Sequence, residues 1–350
     1  MSTDTAVEDD RRRILRFALG ITISVTLAMT IEWPLAFVAP IFVGLFLGPP
    51  ALPLPAKAYW QLLLGIAMAF GVGVAIVYLL LPYMWVCLIA MTWLLFLTFY
   101  RAALGMNAMV VLMLLVAILM FPALGLISRP LAVEFAWGFL ISTGLGLLMA
   151  ALMYSWIPQL GPLEMPPKPD PLSDAEAARR AALSTLLVVP LFVFIFLTDR
   201  TSDLLVLVFV AVLSQDPDLH GGIKAGAVIL LANLIGGVAA LVFYQLLVAV
   251  PQWTFFVALM AITSLLFAEK IFLDPKGKIY ASAFTTFLVI ICSTTGSSGG
   301  EADAKFITRL LQVSAAAVYM VGGCALMTYL GWLKAKPQTQ PQPQPPSEAA

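Results

Sequence analysis

Apolar stretches of about twelve to thirty residues, parted by short polar or proline-bearing gaps, fill this chain from residue 14 to residue 333. A hydrocarbon core about 30 Å thick takes roughly twenty helical residues to cross. The pattern predicts six spans in the first half, at 14–32, 35–49, 59–81, 84–100, 106–127 and 132–156. It predicts six more at 181–198, 203–214, 223–248, 252–268, 280–295 and 304–333. The stretches at 35–49 and 203–214 are too short to cross as ordinary tilted helices. They read as broken, re-entrant or partly extended segments sheltered by neighbours. They hold matching positions in the two halves, and paired short segments of this kind point to a transport pathway.

The gaps divide the chain into a first membrane repeat at 1–156, a linker at 157–178, a second membrane repeat at 179–335 and a tail at 336–350. The linker run Pro162 to Pro171 is too rich in proline to be helical, since each proline lacks an N–H and restricts the residue before it. Ser173, with Asp174 and Glu176 behind it, predicts a helix start. The Pro/Gln-rich tail predicts disorder.

Composition fixes the class. Apolar residues make up 61% and charged residues 11%, against roughly 45–50% and 25% in soluble domains. The fold expected is all-α, a polytopic integral membrane protein whose first partner is the lipid bilayer. A net charge of zero and no basic stripe argue against a nucleic-acid partner. Cys87, Cys292 and Cys324 lie in apolar segments without metal-ligand spacing, so neither a disulfide framework, a zinc site nor another cofactor is expected. Acids precede Arg11, Arg12 and Arg13 and no small-residue cleavage site follows, which reads as an uncleaved first span.

Charge also orients the chain. With the amino terminus inside and twelve alternating spans, all of the nineteen Lys and Arg fall inside except Arg129, Arg200, Lys305 and Arg309. That asymmetry is the one expected of inner loops. It places both termini in the cytoplasm and gives each half an even number of spans, so the halves run parallel. Ten spans also fit if the short segments are re-entrant. A self-comparison at an offset of 167 residues supports the duplication. Asp9 then meets Glu176, Arg12 and Arg13 meet Arg179 and Arg180, Glu32 meets Asp199, Lys57 meets Lys224, and Glu134 meets Glu301. The expectation is two parallel repeats of about six transmembrane helices each.

Candidate chemistry sits where polar groups approach apolar spans. Glu32 and Asp199 end matching spans, and Asp203 follows one turn on. These carboxylates read either as proton-coupling or gate groups or as interfacial charges at helix ends. Arg309 lies inside the last span, one turn after Lys305. Its planar fork suits a carboxylate ligand, although it can also snorkel to the interface. The run from Ser293 through Thr294, Thr295 and Ser297 to Gly300 offers hydroxyls and N–H groups for an anion, or a flexible outer loop. The lone histidine, His220, stands in a turn with Asp216 and Asp218, either as a proton relay or as part of a Gly-Gly bend. Gly71, Gly73, Gly236 and Gly237 permit close helix contact. Arg200, Asp203, His220, the Ser/Thr/Gly run and Arg309 have no first-half counterparts, which points to the second half for specialised chemistry.

The entry Arg12-Arg13-Ile-Leu-Arg-Phe-Ala-Leu19 resembles the opening of the fusaric acid resistance/aromatic acid exporter superfamily. So does Pro217-Asp-Leu-His-Gly-Gly-Ile-Lys224 leading into Asn233-Leu-Ile-Gly-Gly-Val-Ala239. The second half carries the likeness more strongly than Pro50 to Lys57 does in the first. The chain looks like a compact member of the kind described as a domain of unknown function (DUF2955), without the cytoplasmic domain of larger exporters. The resemblance implies efflux of aromatic or other carboxylic acids from a bacterial inner membrane. It also implies a periplasmic membrane-fusion adaptor and an outer-membrane channel as partners.

The reading that follows is a secondary transporter, not an enzyme. It exports small organic anions, aromatic carboxylic acids foremost, coupled to the proton gradient, with no ATP site visible. The alternatives are an anion channel of the same architecture and a non-transporting subunit of an efflux complex.

Overall fold

The computed structural model describes residues 3–31, 35, 38–49, 55–160, 172–198, 204–214, 219–295 and 302–330. Among these residues the structure is all helical. In the first half, α1 (Thr3–Thr30), α2 (Val38–Leu47) and α3 (Ala56–Ala75) are followed by α4 (Met84–Ala103), α5 (Ala108–Ile127) and α6 (Arg129–Trp156). In the second half they are α7 (Asp174–Leu197), α8 (Leu204–Leu213), α9 (Leu219–Ala249), α10 (Trp253–Leu273), α11 (Gly277–Thr295) and α12 (Ala302–Tyr329). Eight of the described helices are long and apolar enough to cross a membrane, so this is a multi-pass membrane protein. At 1.5 Å per residue, the ten residues of α2 and the ten of α8 cover about 15 Å, half a hydrocarbon core.

Local chemistry accounts for the helix limits. Ser173 caps α7 by accepting from Glu176 N at 3.4 Å, with Asp174 and Glu176 in the first turn, where acids complement the helix dipole. Asn107 caps α5 by accepting from Met109 N at 2.9 Å. Between α4 and α5 the chain reverses on Gly105 at φ +89°. Gly105 N donates to Ala102 O and Met106 N to Arg101 O, a helix ending that needs the left-handed conformation glycine supplies. The end of α3 widens into a π-helical turn, Ile76–Leu80, where Leu81 N donates back to Ile76 O at 2.9 Å. Within the spans, threonine hydroxyls donate to their own helix, as Thr22, Thr26 and Thr30 do to Ala18, Thr22 and Thr26. This removes the cost of an unpaired hydroxyl in hydrocarbon.

The packing order is the same in both halves. In the first, α1 packs on α2, α2 on α6, α3 on α5 and α6, and α4 on α5. In the second, α7 packs on α8, α8 on α12, α9 on α11 and α12, and α10 on α11. The contacts between halves are also reciprocal: α1 lies against α10 and α4 against α7, while α2 reaches α11 and α5 reaches α8. Helix α5 runs through the middle, with Leu115, Ala117, Ile118, Leu119 and Phe121 fully buried. One apolar cluster joins α4, α5, α7 and α8, and another joins α1, α10 and α11, so the core is continuous across the two halves.

Large apolar side chains cover the outside. Trp60, Trp85, Trp156 and Trp253, at helix ends, are all at least half exposed, as aromatic residues at a membrane–water boundary are.

The helix boundaries differ from the hydropathy reading in three places. Helix α1 begins at Thr3, eleven residues before the apolar run at 14. Ion pairs one turn apart, Glu8–Arg12 at 3.1 Å and Asp9–Arg13 at 2.7 Å, support the charged extension. Helix α9 begins at Leu219, so His220, Gly221 and Gly222 are helical and the Gly-Gly pair does not form the bend. Helix α11 runs through Thr295, so Ser293, Thr294 and Thr295 form its last turn rather than a loop.

Candidate functional site

Asp9, Arg13 and Arg16 stand at i, i+4 and i+7 on α1, one stripe of a helix. That stripe faces the end of α6 and the segment just after it. Asp9 is 2% exposed. One carboxylate oxygen pairs with Arg13 Nη2 at 2.7 Å, and the other accepts from the backbone N–H of Leu160 at 3.0 Å. Two turns deeper, Arg16 is 1% exposed. Its Nη1 donates to Ile157 O at 3.0 Å. Ile157 is the C-cap of α6, where carbonyls lack helical partners and the dipole is negative. The Arg16 guanidinium carbon lies 4.0 Å from the centre of the Tyr154 ring, a cation–π contact. The stripe therefore clamps residues 157–160 to α1.

The clamp leaves part of itself unpaired. Arg16 Nε, Arg16 Nη2, the Tyr154 hydroxyl and Gln159 Oε1 are buried without a hydrogen-bond partner, and so is Arg13 Nε. Among the described residues no carboxylate forms an ion pair with Arg16. Arg16 feels the charge of Asp9 through space but has no direct ion pair, so a buried charge whose desolvation costs several kcal/mol is compensated only in part. This is the strongest concentration of unused polar capacity among the described residues.

Elsewhere polar groups are spent on joining helices. Thr286 Oγ1 donates to Asn233 Oδ1 at 3.0 Å, linking α11 to α9. Gly236, one turn from Asn233, lets α9 approach so closely that a Cβ there would strike the Ala283 carbonyl. Tyr319 OH donates to Leu187 O at 2.9 Å, tying α12 to α7. Ser184 Oγ donates to Ser214 O, tying α7 to the end of α8. A groove of about 680 Å³ between α4 and α7 is lined by Trp85, Trp93, Phe96 and aliphatic side chains. Its hydroxyls, Thr92 and Thr185, donate to Leu88 O and Ala181 O on their own helices. Nothing polar remains there to recognise a ligand, and the groove has the character of lipid-facing surface.

The residues singled out from sequence are placed as follows. Glu32, Asp199, Asp203 and Ser297 lie outside the described residues. The backbone puts His220 in the first turn of α9, Ser293, Thr294 and Thr295 in the last turn of α11, and Arg309 in the third turn of α12. Their side chains lie outside the described residues as well. The buried cluster of Asp9, Arg16, Tyr154 and Gln159 was not among the sequence candidates. Two signals pointed to it: the i, i+4, i+7 spacing, and the position of Arg16 two residues inside the span predicted at 14–32. Cys87, Cys292 and Cys324 are free and buried. Among the described residues no three His, Cys, Asp or Glu side chains gather into a metal-binding group.

A family model described as a protein of unknown function (DUF2955) matches residues 13–153. The matched stretch runs from Arg13 almost to Tyr154, taking in the first half of the bundle and most of the cluster's helical frame. It does not include Pro217 to Ala239, where the motif resemblance had been the stronger. No curated protein matches the chain, and no solved structure does.

Proposed function

We propose that this chain is a secondary transporter that exports small organic anions, aromatic carboxylic acids in the first place, using the proton gradient. The observation that carries the reading is the placement of the two short helices. Both α2 and α8 are too short to cross, and each reaches into the opposite half, α2 against α11 and α8 against α5. Paired short segments at the interface between halves are where alternating-access transporters bind substrate and coupling ion. The reading takes the chain as two parallel six-helix repeats, supported by the recurrence of packing partners six helices apart and by the 167-residue charge register.

The substrate class rests on the resemblance to aromatic acid exporters and on the DUF2955 match. The same resemblance supports a bacterial inner membrane, cytoplasmic termini, and a periplasmic adaptor with an outer-membrane channel as partners. Arg309 with the Ser293–Ser297 run is assigned to the anion, and Glu32, Asp199, Asp203 and His220 to proton coupling or gating.

The test is flux. Purified protein in liposomes, offered labelled benzoate under an imposed pH gradient, accumulates or expels the acid, and collapsing the gradient stops net movement. Flux that follows the anion gradient alone identifies a channel instead. No flux of any aromatic acid, with or without an adaptor, removes the transport reading.

A further inference from the structure

Arginine offers its five N–H groups along fixed edges of a plane. Nη1 lies on the same side as Cδ, whereas Nε–H and Nη2–H point the same way and form the side-on fork that grips two oxygens of one group. In Arg16, Nη1 is the atom already spent, on Ile157 O. The two nitrogens left without partners are Nε and Nη2. The Nε/Nη2 side-on fork is thus free in full. The Tyr154 ring, its centre 4.0 Å from the guanidinium carbon, keeps its own buried hydroxyl free. The free donors, on Arg16 Nε and Nη2, Arg13 Nε and the Tyr154 hydroxyl, outnumber the free acceptors, Gln159 Oε1 and that same hydroxyl. The nearest acid on the stripe, Asp9, is held by Arg13 and by Leu160 N. A positive, donor-rich, nearly sealed edge of this kind calls for an anion with at least two oxygens, since each buried donor left empty carries its full desolvation cost.

We propose that the Nε/Nη2 edge of Arg16 and the Tyr154 hydroxyl form a binding site for one oxyanion, a carboxylate or a phosphate. The site lies between the charged end of α1 and the end of α6. The fork takes two oxygens in parallel and the tyrosine donates a third hydrogen bond. The register gives this site no counterpart in the second half, because position 183, which the 167-residue offset sets against Arg16, is leucine. It stands apart from the transport reading, since binding to it requires no flux.

The test uses the purified full chain in nonionic detergent. Benzoate and inorganic phosphate are titrated by calorimetry and by thermal unfolding, with sodium chloride at equal ionic strength as the control. A second arm compares phosphatidylcholine nanodiscs with and without phosphatidylglycerol. Binding of benzoate or phosphate assigns the site to soluble oxyanions. A response to phosphatidylglycerol alone assigns it to a lipid phosphate. Either result supports the site if variants weaken it: Arg16→Lys, which keeps charge but loses the fork, by about tenfold or more, and Tyr154→Phe by about fivefold. Tyr154→Phe removes only an unpaired hydroxyl, so without ligand it melts no lower than the wild type and serves where Arg16 variants fail to fold. The proposal is overturned if no oxyanion binds, as for a site filled by water. It is equally overturned if chloride acts as strongly as benzoate, or if Tyr154→Phe binds every probe as tightly as the wild type.

Discussion

The amino-terminal ends of α1 and α7 begin from nearly the same charges and finish in different environments. Each carries an acid followed by two arginines: Asp9, Arg12 and Arg13 in one, Glu176, Arg179 and Arg180 in the other. Asp9 is buried and bonded to Arg13 and to the chain after α6, whereas Glu176 is exposed. Seven residues beyond Asp9 stands a buried arginine, and seven beyond Glu176 stands Leu183, partly buried in an apolar cluster. The same local signal can therefore anchor a helix at an interface or build a buried ionic clamp. What decides is the element packed opposite, here residues 157–160 after α6.

The crossings of the third and fifth helices of each half differ in a similar way. At the α3–α5 crossing, Gly73 lies under the Phe121 ring, and the contact is filled by aromatic and aliphatic groups. At the α9–α11 crossing, Gly236 lies against the backbone of Ala283, and Asn233 with Thr286 supplies a buried hydrogen bond. The first half thus places its buried ionic chemistry at an end and keeps this crossing apolar, while the second half carries a polar contact within it.

Substitutions separate these regions. The largest effect is expected at Gly236→Ala, where backbone must move: about 2–3 kcal/mol of lost stability, read by reversible unfolding in mixed micelles. At Gly73→Ala the Cβ would strike the Phe121 ring and meet the Ala117 carbonyl only at 3.0 Å, so mainly a side chain must shift and about 1–2 kcal/mol is expected. Equal losses at the two sites would break the contrast between the crossings. Asp9→Ala removes the acceptor of the Leu160 N–H and the short pairing to Arg13, which keeps its longer pairing to Asp10 at 3.8 Å, and costs about 1–2 kcal/mol. Thr286→Val removes one hydrogen bond between membrane helices and costs about 0.6 kcal/mol. Glu176→Ala, at the matched but exposed position, loses only its interaction with the helix dipole, about 0.3 kcal/mol. A loss there as large as at Asp9 would show that the two helix ends are equivalent after all.

Much of this fold is legible in hydropathy, because hydrocarbon selects long apolar runs and almost nothing else. The shortness of α2 and α8 is of that kind, while the Ser173 start of α7 is legible from its capping pattern. The charged extension of α1 down to Thr3 is not, since its stability comes from pairs one turn apart rather than from apolarity. The π-helical turn at Ile76–Leu80 gave no sequence signal. The Arg16 cluster was half visible. Its spacing lies in the sequence, but its burial depends on the fold of residues 157–160, which composition marks only as the start of a linker.

The central claim is that the two halves run the same way through the bilayer, which requires α2 and α8 each to complete a crossing with the residues that flank them. Single cysteines replacing Lys57 and Lys224, at matched positions after these helices, report this directly. The native cysteines are buried and give little background. With a membrane-impermeant maleimide on oriented vesicles, the account predicts that both positions react from the same face as a cysteine at Arg11. Reaction of either from the opposite face would make the short helices re-entrant and contradict the parallel arrangement.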